Sequence, residues 1–149
     1  MKIDINTKND LKQAFDLLHD SLVDLGSLSF QGDTLSLLVK REDVDSVNYK
    51  IENYIIFKQA KLPLILANLT FYNVSRYKII EDYGIVIHCL TNFTLKENIM
   101  VMNFCEGTKL QIEFKDNVRG LLEDIKSLEE YGASWLLPFW VRKLSKPYK

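Results

Sequence analysis

The sequence predicts an α+β domain: a curved antiparallel sheet of about six strands, with an N-terminal helix and a C-terminal helix packed on it. Three observations carry that expectation. Apolar residues recur at helical spacing in "TKNDLKQAFDLLHDSL", near the start. The middle of the chain then alternates apolar and polar residues with period two, punctuated by single glycines. After the last alternating run, "DNVRGLLEDIKSL" again shows leucines at helical spacing. A change of period from 3.6 to 2 and back is the signature of helices flanking a sheet.

Taken in order, "MKIDI" alternates and reads as a short strand. In the first helix Leu11, Ala14, Phe15, Leu18 and Leu22 share one face, and Thr7 with Asp10 resembles a capping box. "SLSFQGDTLSLLVK" reads as a β-hairpin about a Gly32-Asp33 turn, with Leu35, Leu37 and Val39 on the buried face. "REDVDSVNYKIEN" is polar and reads as loop or frayed edge. The segment "YIIFKQAKLPLILANLTFYNVSRYKII" holds at least one long strand, which Pro63 separates from what precedes it. "GIVIHCL" and "NIMVMNF" are two strands joined by the polar "TNFTLKE", and "TKLQIEF" is the last. The second helix opens near Asp116; Val118, Leu121, Leu122, Ile125 and Leu128 form its stripe, and Gly132 ends it. "SFQGDTLSLLV" and "NFCEGTKLQIEF" echo one another; a duplicated unit is one explanation, and two hairpins that each need a glycine turn is the favoured one.

At 149 residues, with 47% hydrophobic and 26% charged residues, the chain fits a single domain, 1–149, in which 133–149 form an aromatic and basic tail. A net charge of −1 provides no field to draw the molecule to nucleic acid. "MKIDINTKND" has no apolar run resembling a leader, and "LPLILANL" is too short to span a bilayer, so the expected location is cytoplasmic. In that compartment Cys89 and Cys105 are expected as reduced thiols, although they could meet across neighbouring strands.

Candidate chemistry is sparse. "HDS", His19 to Ser21, has the residue types of a hydrolytic triad, but adjacent helical residues diverge by about 100° and cannot relay a proton. On a strand, His88 faces with Val86 and Leu90 while Cys89 faces with Ile85 and Ile87, which separates thiol from imidazole. Glu42, Asp43 and Asp45 lack the glycine and distal glutamate of a calcium loop. No glycine-rich phosphate loop is present. The expectation is no catalytic residue, no cofactor and no metal, with an enzyme disfavoured.

The C-terminal stretch is different. Trp135, Leu137, Phe139 and Trp140, followed by Arg142 and Lys143, combine the residue types enriched at interface cores, and Pro138 interrupts regular structure among them. Packing on the chain's own sheet is one explanation. Contact with a protein partner or a second copy is another, and an anionic lipid surface is a weaker third. The functional expectation is a non-enzymatic interaction module using this surface. The alternative is an enzyme or small-ligand binder whose site is assembled from scattered residues.

Several segments resemble an alphaproteobacterial family of small cytosolic domains with no assigned function. They are "NDL", "HDSLV", "ANLTFYNV" and the run from "EGTKLQIEFKDNVRGLLEDI" through "YGASW". The resemblance implies hairpin strands, a leucine-rich C-terminal helix and a small-residue-Trp ending, and implies no catalytic residue. At "VKREDVD" the family tends to place an aromatic after its basic residue, and this chain also has a longer basic tail. The same order of elements fits a pleckstrin-homology-like barrel, an analogy at the level of fold.

Overall fold

A computed structural model describes the backbone of residues 1–43, 50–53, 58–81 and 84–136, and the side chains of 1–43, 61–81 and 84–128. Its elements are β1 (Lys2–Ile5), α1 (Lys8–Leu18), β2 (Leu22–Gln31), β3 (Thr34–Glu42), β4 (Lys50–Asn53), β5 (Lys58–Ile80), β6 (Ile87–Lys96), β7 (Ile99–Phe104) and β8 (Lys109–Leu136). The chain is mostly antiparallel sheet, and α1 is the one helix among the described residues. None of the helices described is long and apolar enough to cross a membrane.

This corrects the α+β expectation. The segment read as a C-terminal helix continues β8 without a break, so among the described residues no second helix packs on the sheet. Its leucines satisfy two periods at once. Val118, Gly120 and Leu122 are buried while Asn117, Arg119 and Glu123 are exposed, the alternation of a strand. Gly120 weighs against a helix here, because a glycine inside a helix costs about 1 kcal/mol relative to alanine. Two smaller corrections follow. Most of "TNFTLKE" belongs to β6, where Phe93 and Leu95 alternate with Asn92, Thr94 and Lys96, leaving Glu97 and Asn98 as the turn. Pro63 does not break β5, since its carbonyl accepts the Asp43 N–H at 2.8 Å.

Two compact units emerge, each discontinuous in sequence. The first comprises Met1–Arg41 and Leu66–Lys126. The sheet order is β1-β8-β7-β6-β2-β3-β5-β4, with a further pairing of β8 to β5, so the strands from β8 round to β5 close into a ring. Inward-facing side chains fill it: Leu35, Leu37, Val39, Leu69, Phe71, Leu90, Met100, Met102, Leu110, Ile112 and Phe114 are almost wholly buried in one cluster. Helix α1 begins at a Thr7–Asp10 capping box and lays Leu11, Ala14, Phe15 and Leu18 on the same core, with Phe15 stacked 4.1 Å from Phe93. The second unit comprises Glu42–Ile65 and Ser127–Lys149; in it β4 pairs antiparallel with the start of β5, Lys50 opposite Lys61.

Ring closure passes through Gly120. β8 pairs with β7 through residues 109–113 and with β1 through residues 120–123, Gly120 lying opposite Ile5. A Cβ on Gly120 would stand 2.5 Å from the Thr70 carbonyl oxygen of β5 and 3.0 Å from the Phe71 ring. Backbone cannot yield as a flexible side chain can. Gly120→Ala is therefore expected to lower stability by roughly 1–3 kcal/mol, as overpacking does. An unchanged urea midpoint would show that β5 and β8 do not need this approach.

Candidate functional site

The outer face of the ring carries the most distinctive surface, and a bulge in β2 creates it. The pairing of β2 with β3 shifts register between Asp24 and Ser29. Asp24 Oδ1 accepts the N–H groups of Gly26 (2.9 Å) and Ser27 (3.2 Å). Ser27 Oγ donates to the Asp24 carbonyl and accepts the Leu38 N–H at 2.8 Å, pinning the bulge to β3. The chain entering β6 then crosses the bulge: Leu25 N–H donates to the Val86 carbonyl at 2.8 Å, and the Val86 side chain packs over Gly26, where any Cβ would clash.

Around this crossing the apolar side chains face outward. Ile85, Val86 and Ile87 are 45%, 52% and 51% exposed, and Leu22 is 40% exposed. Ile87 lies opposite Asp24, and Leu22 opposite both Lys40 and Cys89. Leu22, Leu38, Leu66 and Ile87 line a hollow of about 210 Å³ with Asp24 and Lys40. That volume is below the roughly 300–1,000 Å³ usual for small-ligand sites. An apolar surface rimmed by one acid and one base can bury itself against another protein surface. A second depression, of about 400 Å³, lies among Arg76, Tyr77, Lys78, Gln111 and Glu113, and the Arg76–Glu113 ion pair (2.6 Å) belongs to its lining.

His88 points the other way. It is fully buried, with Nε2–H donating to the Ile85 carbonyl at 2.8 Å, Nδ1 3.3 Å from Glu106 Oε2, and its ring 5.1 Å from Phe104. Hydrogen bonds, its own backbone N–H first and then the His88 ring, hold the Glu106 carboxyl below its ordinary range against some desolvation. His88 thus ties residue 85 to the β7–β8 turn and is no open catalytic group. His19 and Asp20 are exposed and 2.9 Å apart, whereas Ser21 is buried, so these three side chains diverge. Among the described residues no group of three His, Cys, Asp or Glu could hold a metal ion.

Of the sequence-derived interaction residues, Trp135 falls within β8, but its side chain, with Leu137, Phe139, Trp140, Arg142 and Lys143, lies outside the described residues. The outer apolar face was not singled out in the sequence. Its signal was there: "GIVIHCL" is apolar at consecutive positions, and an antiparallel strand with one buried face should alternate. Comparison with known proteins finds no matching family model, no similar curated protein and no similar solved structure. The functional reading therefore rests on geometry.

One strong charge cluster is structural. Arg41, 3% exposed, donates from Nε and Nη2 to Asp124 at 3.0 and 2.8 Å, joining β3 to β8, and the Met1 amino group reaches the same carboxylate at 2.9 Å. Burial alone would raise the Asp124 pKa; hydrogen bonds and charge from Arg41 and the amino group outweigh it and lower the value. A carboxyl depressed in the folded state adds stability above its unfolded pKa of about 3.9, and loses it as pH falls through the folded value. Asp124→Asn should cost about 3 kcal/mol at neutral pH. Its urea midpoint should converge on that of the wild type as both are acidified below about pH 4. Parallel curves down to the lowest pH would show that the pair carries no linkage.

Proposed function

We propose that this protein is a non-catalytic interaction module that self-associates, burying the outer face around Leu22, Leu38, Leu66 and Ile87 against a second copy. The observation that carries the reading is the outward turn of Ile85, Val86 and Ile87 beside Leu22, each 40% or more exposed, on a ring whose interior is already filled. Surfaces of that kind are uncommon on proteins without a partner. A second copy is the favoured occupant because the face is electrically balanced. Asp24 and Lys40 stand at the same hollow, so a two-fold axis through it would bring acid towards base around an apolar centre.

A cytoplasmic setting belongs to this proposal, supported by the absence among the described residues of a helix able to cross a membrane and by the mixed charge of the chain. So does a second contact through the aromatic stretch, with Trp135, Leu137, Phe139 and Trp140 as apolar anchors and Arg142 and Lys143 beside them. Neither contact requires a cofactor.

Light scattering on the full chain tests the reading. A dimer is expected, and Ile87→Asp is expected to weaken it by roughly tenfold or more while leaving the circular dichroism spectrum unchanged. A wild-type monomer at every concentration would remove the outer face as a self-contact. A dimer that survives Ile87→Asp but is lost in folded Trp140→Ala would transfer the contact to the C-terminal stretch.

A further inference from the structure

The end of the β6–β7 pairing brings the chain's two cysteines together. Leu90 pairs with Phe104, the last residue of β7; one residue further on, the Cys105 N–H donates to the Cys89 carbonyl at 2.9 Å and the two thiols come within hydrogen-bond reach. Residues directly opposite one another project on the same side of the sheet. His88 and Leu90 are buried, so that side is the outer one. Residues opposite one another in an antiparallel pair hold their Cα atoms about 4.5–5.5 Å apart, inside the span of about 4.4–6.8 Å that a disulfide bridges. Both thiols are free; Cys89 is half-buried and Cys105 is exposed at the start of the β7–β8 turn.

We propose that Cys89 and Cys105 form an oxidisable dithiol, which closes into a cross-strand disulfide when the protein meets a peroxide. This does not rest on self-association, since both sulfurs belong to one chain. The two sulfurs have different parts. Burial, then the hydrogen bond with Cys105, push the Cys89 thiol up to about 12, with the Asp20 and Glu106 carboxylates acting in the same direction. Cys105 is the exposed sulfur and so the one that meets the oxidant, while Cys89 stands half-buried beside it. Cys105 attacks one peroxide oxygen, the O–O bond breaks, and a sulfenic acid forms with release of one water. The Cys89 sulfur then displaces the hydroxyl from Cys105, giving the S–S bond and a second water. Two thiols are oxidised by two electrons in all, the peroxide is reduced, and both thiol protons leave in the two waters. An exposed bridge of this type is readily reduced again, as regulatory disulfides are.

The test uses the native full chain treated with hydrogen peroxide, quenched, alkylated and digested with trypsin without reductant. Cleavage after Lys78, Lys96 and Lys109 separates residues 79–96, carrying Cys89, from residues 97–109, carrying Cys105. The expected result is a disulfide joining these two peptides within a monomeric chain, with both alkylation sites lost together and both restored by dithiothreitol. In Cys105→Ser, Cys89 should stay alkylatable under the same treatment. A Cys105 sulfinic acid with Cys89 still alkylated, or a Cys105–Cys105 bond between chains, would overturn the proposal. Oxidation of Cys89 at an undiminished rate in Cys105→Ser would overturn the order of attack and with it the mechanism.

Discussion

Closing six strands into a ring brings β8 against β5 where a side chain on β8 would have nowhere to go, and Gly120 meets that constraint. Its missing Cβ lets the Thr70 carbonyl approach, and the same residue faces Ile5 of β1 across the other edge of β8. The interior depends on that approach. Phe71 and Phe114 meet edge-to-face, with centroids 5.9 Å apart, only because β5 and β8 lie side by side. The Arg41–Asp124 pair then ties β3 to β8. Elsewhere Asn98 locks the β6–β7 turn to β8 by giving its amide to the Phe114 carbonyl and its own carbonyl to the Phe114 N–H, both at 2.8 Å.

Among the described residues the ring interior is filled by one cluster of buried apolar side chains, and the exposed apolar residues lie on its outside. The bulge in β2 and the crossing of residues 84–86 turn Ile85, Val86 and Ile87 outward. His88 anchors that arrangement from within, through the Ile85 carbonyl and Glu106. The next residue, Cys89, again faces outward; it stands opposite Leu22 on β2, and its carbonyl accepts the Cys105 N–H. The crossing and strand alternation together thus place an exposed apolar face, a buried tether and Cys89 within residues 85–89.

The sequence by itself determined those features that depend on near neighbours. Thr7 and Asp10 capped α1 because a capping box spans only four residues. Gly32 made the β2–β3 turn because its positive φ suits glycine, and the opposed faces of His88 and Cys89 followed from strand alternation alone. Tertiary structure decided where two local readings were equally good. Residues 116–128 satisfied a helical and a strand period together, and β5 with β1 supplied hydrogen-bonding edges that only a strand could use. It also decided which apolar residues stayed outside. Ile85 and Ile87 match core residues in composition, but a strand has two faces and the ring interior could accept only the one bearing His88 and Leu90. Pairing across long sequence separation, which no local pattern encodes, settled both questions.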